Sequence, residues 1–372
     1  MTLCILICCQ LLGTVAAAGC QAHQKVPPAI FMFGDGTLDV SNNNLNYTED
    51  LGEPNQANHS YYGIDFPNSE PTGRFSNGYN IADFIAKAMG LEISPPAYLS
   101  LTRPISVKGF TGVNYASEGA RIWNNSISPD DDEVTIPLLT QLDYFADTRA
   151  QIASQLGDHQ LRKLLSKSLF LVSVGAKDIF HLSIFTPQPK FNIKAYLDKL
   201  VTSLGSSMEA LYHEGARKFA IINIPPIGCT PEMRRKAVGR RGHHYGPGGC
   251  DETLNELAVE FNGRLRSLLA SLSSKLDDLH YSIGDFYSFS NGTFANPEAS
   301  GFVNTSMACC KRPCDQQADF QDPPCQNRTK YWFWDEEYIS EQAANKLAAA
   351  AFYDGPSQFT VPNNFKKLVQ RK

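Results

Sequence analysis

Three short apolar runs in this chain end abruptly at glycine or proline. They are Ala29-Ile30-Phe31-Met32-Phe33 before Gly34-Asp35, Leu169-Phe170-Leu171-Val172-Ser173-Val174 before Gly175, and Phe219-Ala220-Ile221-Ile222-Asn223-Ile224 before Pro225-Pro226. A strand wetted on one face alternates polar and apolar residues. Near-continuous apolar runs belong to strands buried on both faces, and those occur in parallel sheets covered by helices. The covering helices are legible between the runs. Ala82, Ile85, Ala86 and Met89 recur at three-to-four spacing, as do Leu197, Leu200, Leu204, Met208 and Leu211. The longest stripe runs through Leu254, Leu257, Phe261, Leu265, Leu268, Leu269 and Leu272. A strand is expected around Tyr281 to Phe286, a short alternating one over Gly112 to Ala120 that enters a tight turn, and a C-terminal helix through Ala343, Leu347 and Ala351. Asn42 to Tyr62 is Asn-rich and aperiodic and reads as a surface loop. Strands alternating with helices predict an α/β fold, a doubly wound central parallel sheet flanked by helices, with its site beyond the carboxyl ends of the strands. No repeat or Gly-, Ser- or Pro-rich linker divides the 372 residues, so one domain, 27–370, is expected.

The N-terminal segment stands apart. Leu3 to Ala18 is apolar and closes in Ala16-Ala17-Ala18, a small-residue cleavage pattern, although no Lys or Arg precedes it. Residues 1–18 are expected to be a signal peptide, with a retained N-terminal anchor as the alternative. No later run is long enough to span a bilayer, so no transmembrane segment is expected after its removal. Sequons of the form N-x-S/T at Asn46, Asn58, Asn124, Asn291, Asn304 and Asn327 accord with the secretory route and are the expected glycosylation sites. The cysteines agree: Cys4, Cys8 and Cys9 leave with the signal, and Cys20 lies near the cleavage point. Cys229, Cys250, Cys309, Cys310, Cys314 and Cys325 then suffice for three disulfides, of connectivity the sequence leaves open. Irregular spacing from Cys309 to Cys325, with no adjacent histidine, argues against zinc; neither a metal nor another cofactor is expected. A net charge of −5 with 19% charged residues offers no electrostatic basis for nucleic-acid binding. Secretion is the expected destination, with the ER or vacuole as alternatives.

Many ordered blocks resemble the GDSL (SGNH) esterases and lipases of plants. They include the opening strand, Gly73-Arg74-Phe75-Ser76-Asn77-Gly78, Gly112 to Ala120, and Val174-Gly175-Ala176-Lys177-Asp178. Asn223-Ile224-Pro225-Pro226-Ile227-Gly228-Cys229, Ala308-Cys309-Cys310, Phe333-Trp334-Asp335 and Val361-Pro362-Asn363-Asn364-Phe365 continue the series. The resemblance spans nearly the whole mature chain and implies a flavodoxin-like fold. It also implies acyl transfer from an ester. A serine after the first strand's Gly-Asp attacks the carbonyl, and a histidine held by an aspartate three residues earlier takes its proton. Backbone N–H groups, a glycine of the second block and the asparagine of a Gly-x-Asn-Asp turn hold the oxyanion.

Carried onto this chain, those roles fall largely on residues unable to perform them. Gly36 stands at the nucleophile position and has no side chain. Thr37 is the nearest hydroxyl, one residue out of register, where a strand end points the side chain elsewhere. Gly119 matches the oxyanion glycine, and a tight turn accounts for it equally. Lys177 replaces the oxyanion asparagine; losing one such donor typically costs about 10²–10³ in rate, and the alternative for Lys177 is that it extends to solvent or pairs with a nearby carboxylate. Asp335 matches the triad aspartate, but the base position is Tyr338, a phenol with an ordinary pKa near about 10 and a poor base at neutral pH. Ser41 stands where the family usually has glycine.

The resulting expectation is a secretory GDSL-family pseudoenzyme that keeps the fold and a cleft for an acyl ester, lipid or glycan ligand, or a protein partner of the secretory pathway. An active carboxylic-ester hydrolase using a non-family nucleophile such as Thr37 is the alternative. A third class, a binding or scaffold protein of the endomembrane system, draws on Arg234, Arg235, Lys236, Arg240 and Arg241 in a loop reaching His244. It also draws on the tail residues Lys366, Lys367, Arg371 and Lys372; a solvated loop and tail account for both groups too.

Overall fold

The computed structural model describes residues 29–46, 56–123, 135–184, 192–237, 249–311, 314, 323–341 and 345–371. The expected signal peptide, Cys20, Asn124, Arg240, Arg241, Ala343 and Lys372 lie outside them. Eight strands are described: β1 (Ile30–Gly34), β2 (Gly112–Asn114), β3 (Leu169–Ser173), β4 (Lys218–Ile222), β5 (His280–Gly284), β6 (Asn304–Ala308), β7 (Tyr331–Phe333) and β8 (Thr360–Val361). The main sheet runs in the order β2-β1-β3-β4-β5-β8, and β6 pairs with β7 apart from it. Strands β2, β1, β3, β4 and β5 are mutually parallel, in the flavodoxin order, whose switch point lies between β1 and β3. The parallel expectation needs one correction: β8 joins β5 antiparallel. Two residues contribute too little pattern to be read as a strand, and an edge position tolerates so short a partner.

The helices are α1 (Asn42–Leu45), α2 (Ile81–Ala88), α3 (Leu138–Leu156), α4 (Asp158–Lys167), α5 (Ala176–Ile184), α6 (Ile193–Glu214), α7 (Pro231–Ala237), α8 (Glu252–Lys275), α9 (Phe286–Ala295), α10 (Lys346–Tyr353) and α11 (Phe365–Gln370). The strand pleat sends alternate residues to opposite faces. Phe31, Phe33, Phe170, Val172, Phe219 and Ile221 pack in one core with Phe145 of α3, Leu165 of α4, Leu204 of α6 and Phe261 of α8. Ile30, Met32, Leu169, Leu171, Ala220 and Ile222 form the other with Ile85 of α2, Phe352 of α10 and Phe365 of α11. Helix α2 starts where Asn80 Oδ1 accepts from the N–H groups of Ala82 and Asp83 while Asp83 accepts from Asn80 N–H, a reciprocal capping box.

Some boundaries differ from expectation for local reasons. The Gly112 segment leaves the strand after Asn114, because Asn114 Oδ1 accepts from Ala116 N–H and bends the chain; it then turns at Gly119, with φ +75°. The expected strand to Phe286 stops at Gly284 instead, since Asp285 caps α9 by accepting from Ser288 N–H. Arg234, Arg235 and Lys236 belong to helix α7, not a loop. Arg235 and Lys236 pair with Glu232, and Arg234 Nε donates to the Cys229 carbonyl. In the tail, Lys366 of α11 pairs with Asp354, the residue that follows α10. The six candidate cysteines form Cys229–Cys250, Cys309–Cys325 and Cys310–Cys314 disulfides. No helix among the described residues is long and apolar enough to cross a membrane.

Candidate functional site

Strand β1 ends in a turn with no room for variation. Gly34 has φ +140°, and a Cβ there would lie 1.8 Å from the Ser173 carbonyl oxygen, so only glycine fits. The Gln141 amide clamps both sides of it, accepting from Gly34 N–H at 2.8 Å and donating to its carbonyl at 2.9 Å. Asp35 N–H donates to the Ser173 carbonyl, and the Asp35 carboxyl accepts from Thr37 N–H. Gly36 is thereby delivered to the carboxyl edge of the sheet between β1 and β3.

Space at Gly36 is taken by two other side chains. A Cβ placed there would lie 2.3 Å from Glu118 Oε2 and 2.4 Å from the Tyr338 hydroxyl. Glu118 is brought in by the bend after β2, where its N–H donates to Asp39 Oδ2 at 3.0 Å. The same Asp39 carboxylate accepts from the N–H groups of Ser41, Asn42 and Asn43 at the start of α1. Ser41 has φ +138°, a region that favours glycine, so its departure from the family residue is a strained one. Tyr338 is placed by Asp335, whose Oδ1 accepts from the N–H groups of Glu337 and Tyr338 at 2.8 and 2.6 Å. Asp335 Oδ2 accepts from the Tyr62 hydroxyl at 2.8 Å, and the Tyr338 ring tilts against Phe75 with centroids 5.2 Å apart. In this structure Asp335 braces a turn.

Lys177, in the first turn of α5, lies between two acids. Its Nζ is 2.7 Å from Glu118 Oε1 and 2.6 Å from Glu337 Oε2. Burial works against the Glu337 carboxylate, but the Lys177 charge and the hydrogen bond with Glu232 outweigh it and hold its pKa well below the usual range. Glu232 is pushed up instead, by burial and then by Glu337. The alternative of carboxylate pairing for Lys177 is thus what the structure contains.

Behind this charged layer lies a cavity of about 90 Å³. Its apolar walls come from Val174 and Phe180 after β3, Ile224, Pro225 and Pro226 after β4, Phe286 and Phe294 of α9, and Trp332 and Phe333 of β7. Gly36, Thr37, Lys177, Glu337 and Tyr338 also line it, and no histidine does among the described residues. The chain therefore brings Gly36, Lys177 and Tyr338 together, with Asp335 behind Tyr338, while Gly119 and Asp335 are not among the lining residues. Thr37 corrects an expectation. It lines the same cavity, and its hydroxyl is hydrogen-bonded to Asp35, because the chain has already left the strand pleat at this turn. Glu118, Glu337 and Ser290, a buried cavity-lining residue of α9, escape sequence reasoning. The one available signal was a charged Glu118 inside the small-residue block Ala116-Ser117-Glu118-Gly119-Ala120. Among the described residues no group of three or more His, Cys, Asp or Glu is arranged to hold a metal.

Several buried carboxyls around the site titrate high. Burial pushes Asp335, Asp178 and Glu341 up to about 7, and Asp39 to about 6. A carboxyl whose folded pKa is raised keeps its proton in the native state after the unfolded chain has released it. Stability therefore falls as pH rises from the unfolded carboxyl pKa toward about 7. Stability is expected to be higher at pH 5 than at pH 8 by an amount on the order of a few kcal/mol, with a correspondingly higher melting temperature at pH 5. Differential scanning fluorimetry across that range checks it; a melting temperature that rises with pH refutes it.

The sheet order and the cavity at its switch point define a flavodoxin-like α/β protein with a cavity at the carboxyl edge of its sheet. A sequence model of the GDSL-like lipase/acylhydrolase family matches residues 30–351, and the chain belongs to this family. Two GDSL esterase/lipases of Arabidopsis thaliana are each 32% identical to it, one over 95% of this chain and 94% of the relative, the other over 94% and 95%. A GDSL lipase of Tanacetum cinerariifolium is 32% identical over 95% of this chain and 91% of its own length.

Proposed function

We propose that this chain is a secretory-pathway member of the GDSL family that retains the cleft for binding and does not hydrolyse esters. One observation carries the reading: the Tyr338 hydroxyl and Glu118 Oε2 lie where a side chain at residue 36 would begin. The position the family resemblance gives to the nucleophile is not merely empty but filled. Two further features support it. Lys177, at the position of the oxyanion donor, is held by Glu118 and Glu337, and the Glu118 carboxylate puts negative charge where an oxyanion would have to develop. Tyr338 offers no imidazole to take a proton. The secretory route is supported by the three disulfides and by exposed sequon asparagines at 58, 291 and 327, which are proposed as glycan sites along with Asn46, Asn124 and Asn304.

The purified protein is expected neither to react with a serine-directed fluorophosphonate probe nor to turn over p-nitrophenyl butyrate. Robust turnover that survives purification overturns the proposal. The matching gain-of-function variant needs four changes: Gly36→Ser, Lys177→Asn, Tyr338→His and Glu118→Gly. The last is included because Lys177→Asn removes the ammonium that pairs with buried Glu118. An inactive parent beside a labelled, active revertant isolates the loss to the chemistry.

A second reading draws on Thr37, which lines the cavity with its hydroxyl on Asp35. In it Thr37 is the nucleophile and Asp35, its pKa raised by burial, the base. Thr37→Ala decides: if the wild type has esterase activity and the variant keeps it, this reading fails.

A further inference from the structure

Helix α9 lines two cavities. Phe286, Ser290 and Phe294, spaced four residues apart, line the apolar one at the sheet edge. Tyr287, Asn291 and Ala295, one position on in the same spacing, line a separate groove of about 460 Å³. Four-residue spacing keeps each set on its own face of a helix. Phe294 borders both spaces. The other walls of the groove are mostly polar: Arg234 of α7, Glu252 and Asn255 of α8, and Thr305 and Ser306 of β6, beside the Cys229–Cys250 disulfide. Its volume falls in the range of small-ligand clefts, roughly 300–1,000 Å³.

One wall of this groove carries an attachment point. Asn291 opens the sequon Asn291-Gly292-Thr293. It is exposed, and its side chain hydrogen-bonds with that of Tyr287 one turn earlier. Thr293 is buried, and its hydroxyl donates to the Phe289 carbonyl. The hydroxyl that a sequon must present is therefore out of reach once α9 has formed, so addition of a sugar precedes folding of this helix. Asn304 precedes Thr305 and Ser306 in a second sequon but does not itself line the groove. Its Oδ1 accepts from the N–H groups of Ser306 and Met307.

We propose that Asn291 carries an N-linked glycan whose first N-acetylglucosamine residues lie in this groove, bracing α9 against α7, α8 and β6. In the addition, the Asn291 amide nitrogen forms a C–N bond to the anomeric carbon of a lipid-diphosphate-linked oligosaccharide and gives up one proton. The C–O bond to the diphosphate breaks, and the lipid diphosphate leaves with its electron pair. A pyranose ring bears hydroxyls that both donate and accept, together with an apolar C–H face. The groove answers the hydroxyls with a guanidinium, a carboxylate, an amide and two hydroxyls, and the C–H face with the Phe294 ring and Ala295. A sugar tethered at residue 291 is held at an effective concentration that no free sugar reaches, so individually weak contacts suffice to seat it. The inference rests on the reading of the chain as a secretory-pathway protein and names the one sequon whose glycan is part of the folded structure.

The test uses the full chain made in mammalian secretory cells and treated, without denaturation, with peptide N-glycosidase. Peptide mass spectrometry reads release at each site, because every freed asparagine becomes aspartate. Asn58 and Asn327, exposed and lining neither cavity, are the references, with the denatured protein as a third. Release from Asn291 is expected to be at least about tenfold slower than from the references, the factor that two ordinary hydrogen bonds supply, and to match them after denaturation. Ala295→Trp fills the groove from an exposed position without altering a sequon, and should bring Asn291 to within about threefold of the references. Glu252→Ala removes one polar wall and should speed release about 3- to 10-fold; it serves also if the first variant does not fold. Release from Asn291 as fast as from the references overturns the inference, as does slow release that neither variant accelerates. An unmodified Asn291 beside a glycan on any other sequon overturns it too and leaves the secretory reading standing. No glycan at any sequon refutes the secretory reading itself.

Discussion

Placing serine at position 36 by itself is expected to destabilise the protein and yield no esterase activity. The new Cβ meets Glu118 Oε2 at 2.3 Å, the Tyr338 hydroxyl at 2.4 Å and Tyr338 Cζ at 2.7 Å. Overpacking of this kind costs about 1–3 kcal/mol. The Glu118 carboxylate is the end of a flexible side chain, but moving it pulls on Lys177. Tyr338 is less free: its backbone N–H is bound by Asp335 and its ring rests on Phe75. Chemical denaturation of Gly36→Ser, Tyr338→Ala and the double variant measures the coupling. The serine should cost about 1–2 kcal/mol less in the Tyr338→Ala background. Tyr338→Phe should relieve only part of the strain, because Cζ remains. Strict additivity would mean that Tyr338 does not occupy the space at Gly36.

Lys177→Met is expected to produce the largest single loss of stability at the site, about 3–5 kcal/mol, the usual consequence of removing one partner from a buried ion pair. Both Glu118 and Glu337 would lose their ammonium, and Glu118 has nowhere to be hydrated. For a domain of this size the melting temperature should drop on the order of 5–10 °C. The sign of the pH dependence discriminates. Without Lys177, Glu118 is relieved by taking up a proton, so the deficit relative to wild type should shrink from pH 8 to pH 5. The double variant Lys177→Met, Glu118→Gln should recover much of the loss at pH 8. A deficit that is independent of pH and of Glu118 would show that the methionine disturbs packing instead.

What was legible in advance follows the strength of each local signal. Strands β1, β3 and β4 could be read because burial on both faces leaves no polar positions to confuse the pattern. Helices α6 and α8 could be read because their leucines hold one face over many turns. Helix α3 could not: its buried stripe mixes Leu138, Phe145 and Ile152 with Gln141 and Thr148. Gln141 is spent on clamping Gly34. A polar residue recruited for the turn after β1 thus blurs the periodicity of the helix that carries it.

The site divides in the same way. Gly36, Lys177 and Tyr338 could be placed in one cleft because the family blocks fix the register of β1, of the turn after β3 and of the Trp334-Asp335 turn. What occupies the cleft could not be read. Glu118 and Lys177 are separated by 59 positions in the chain, and Glu337 by 160 from Lys177, so no periodicity or motif links them. They meet because β2 and β3 flank β1 on its two sides and the Asp335 turn folds back over their carboxyl ends. Sequence alone determined the fold class and singled out the six cysteines that pair, since each is carried by local pattern or spacing. Only the tertiary structure decided that Glu118 and Tyr338 fill the space at Gly36 and that two carboxylates hold Lys177. These are facts of proximity between distant segments, and packing, not local preference, sets them.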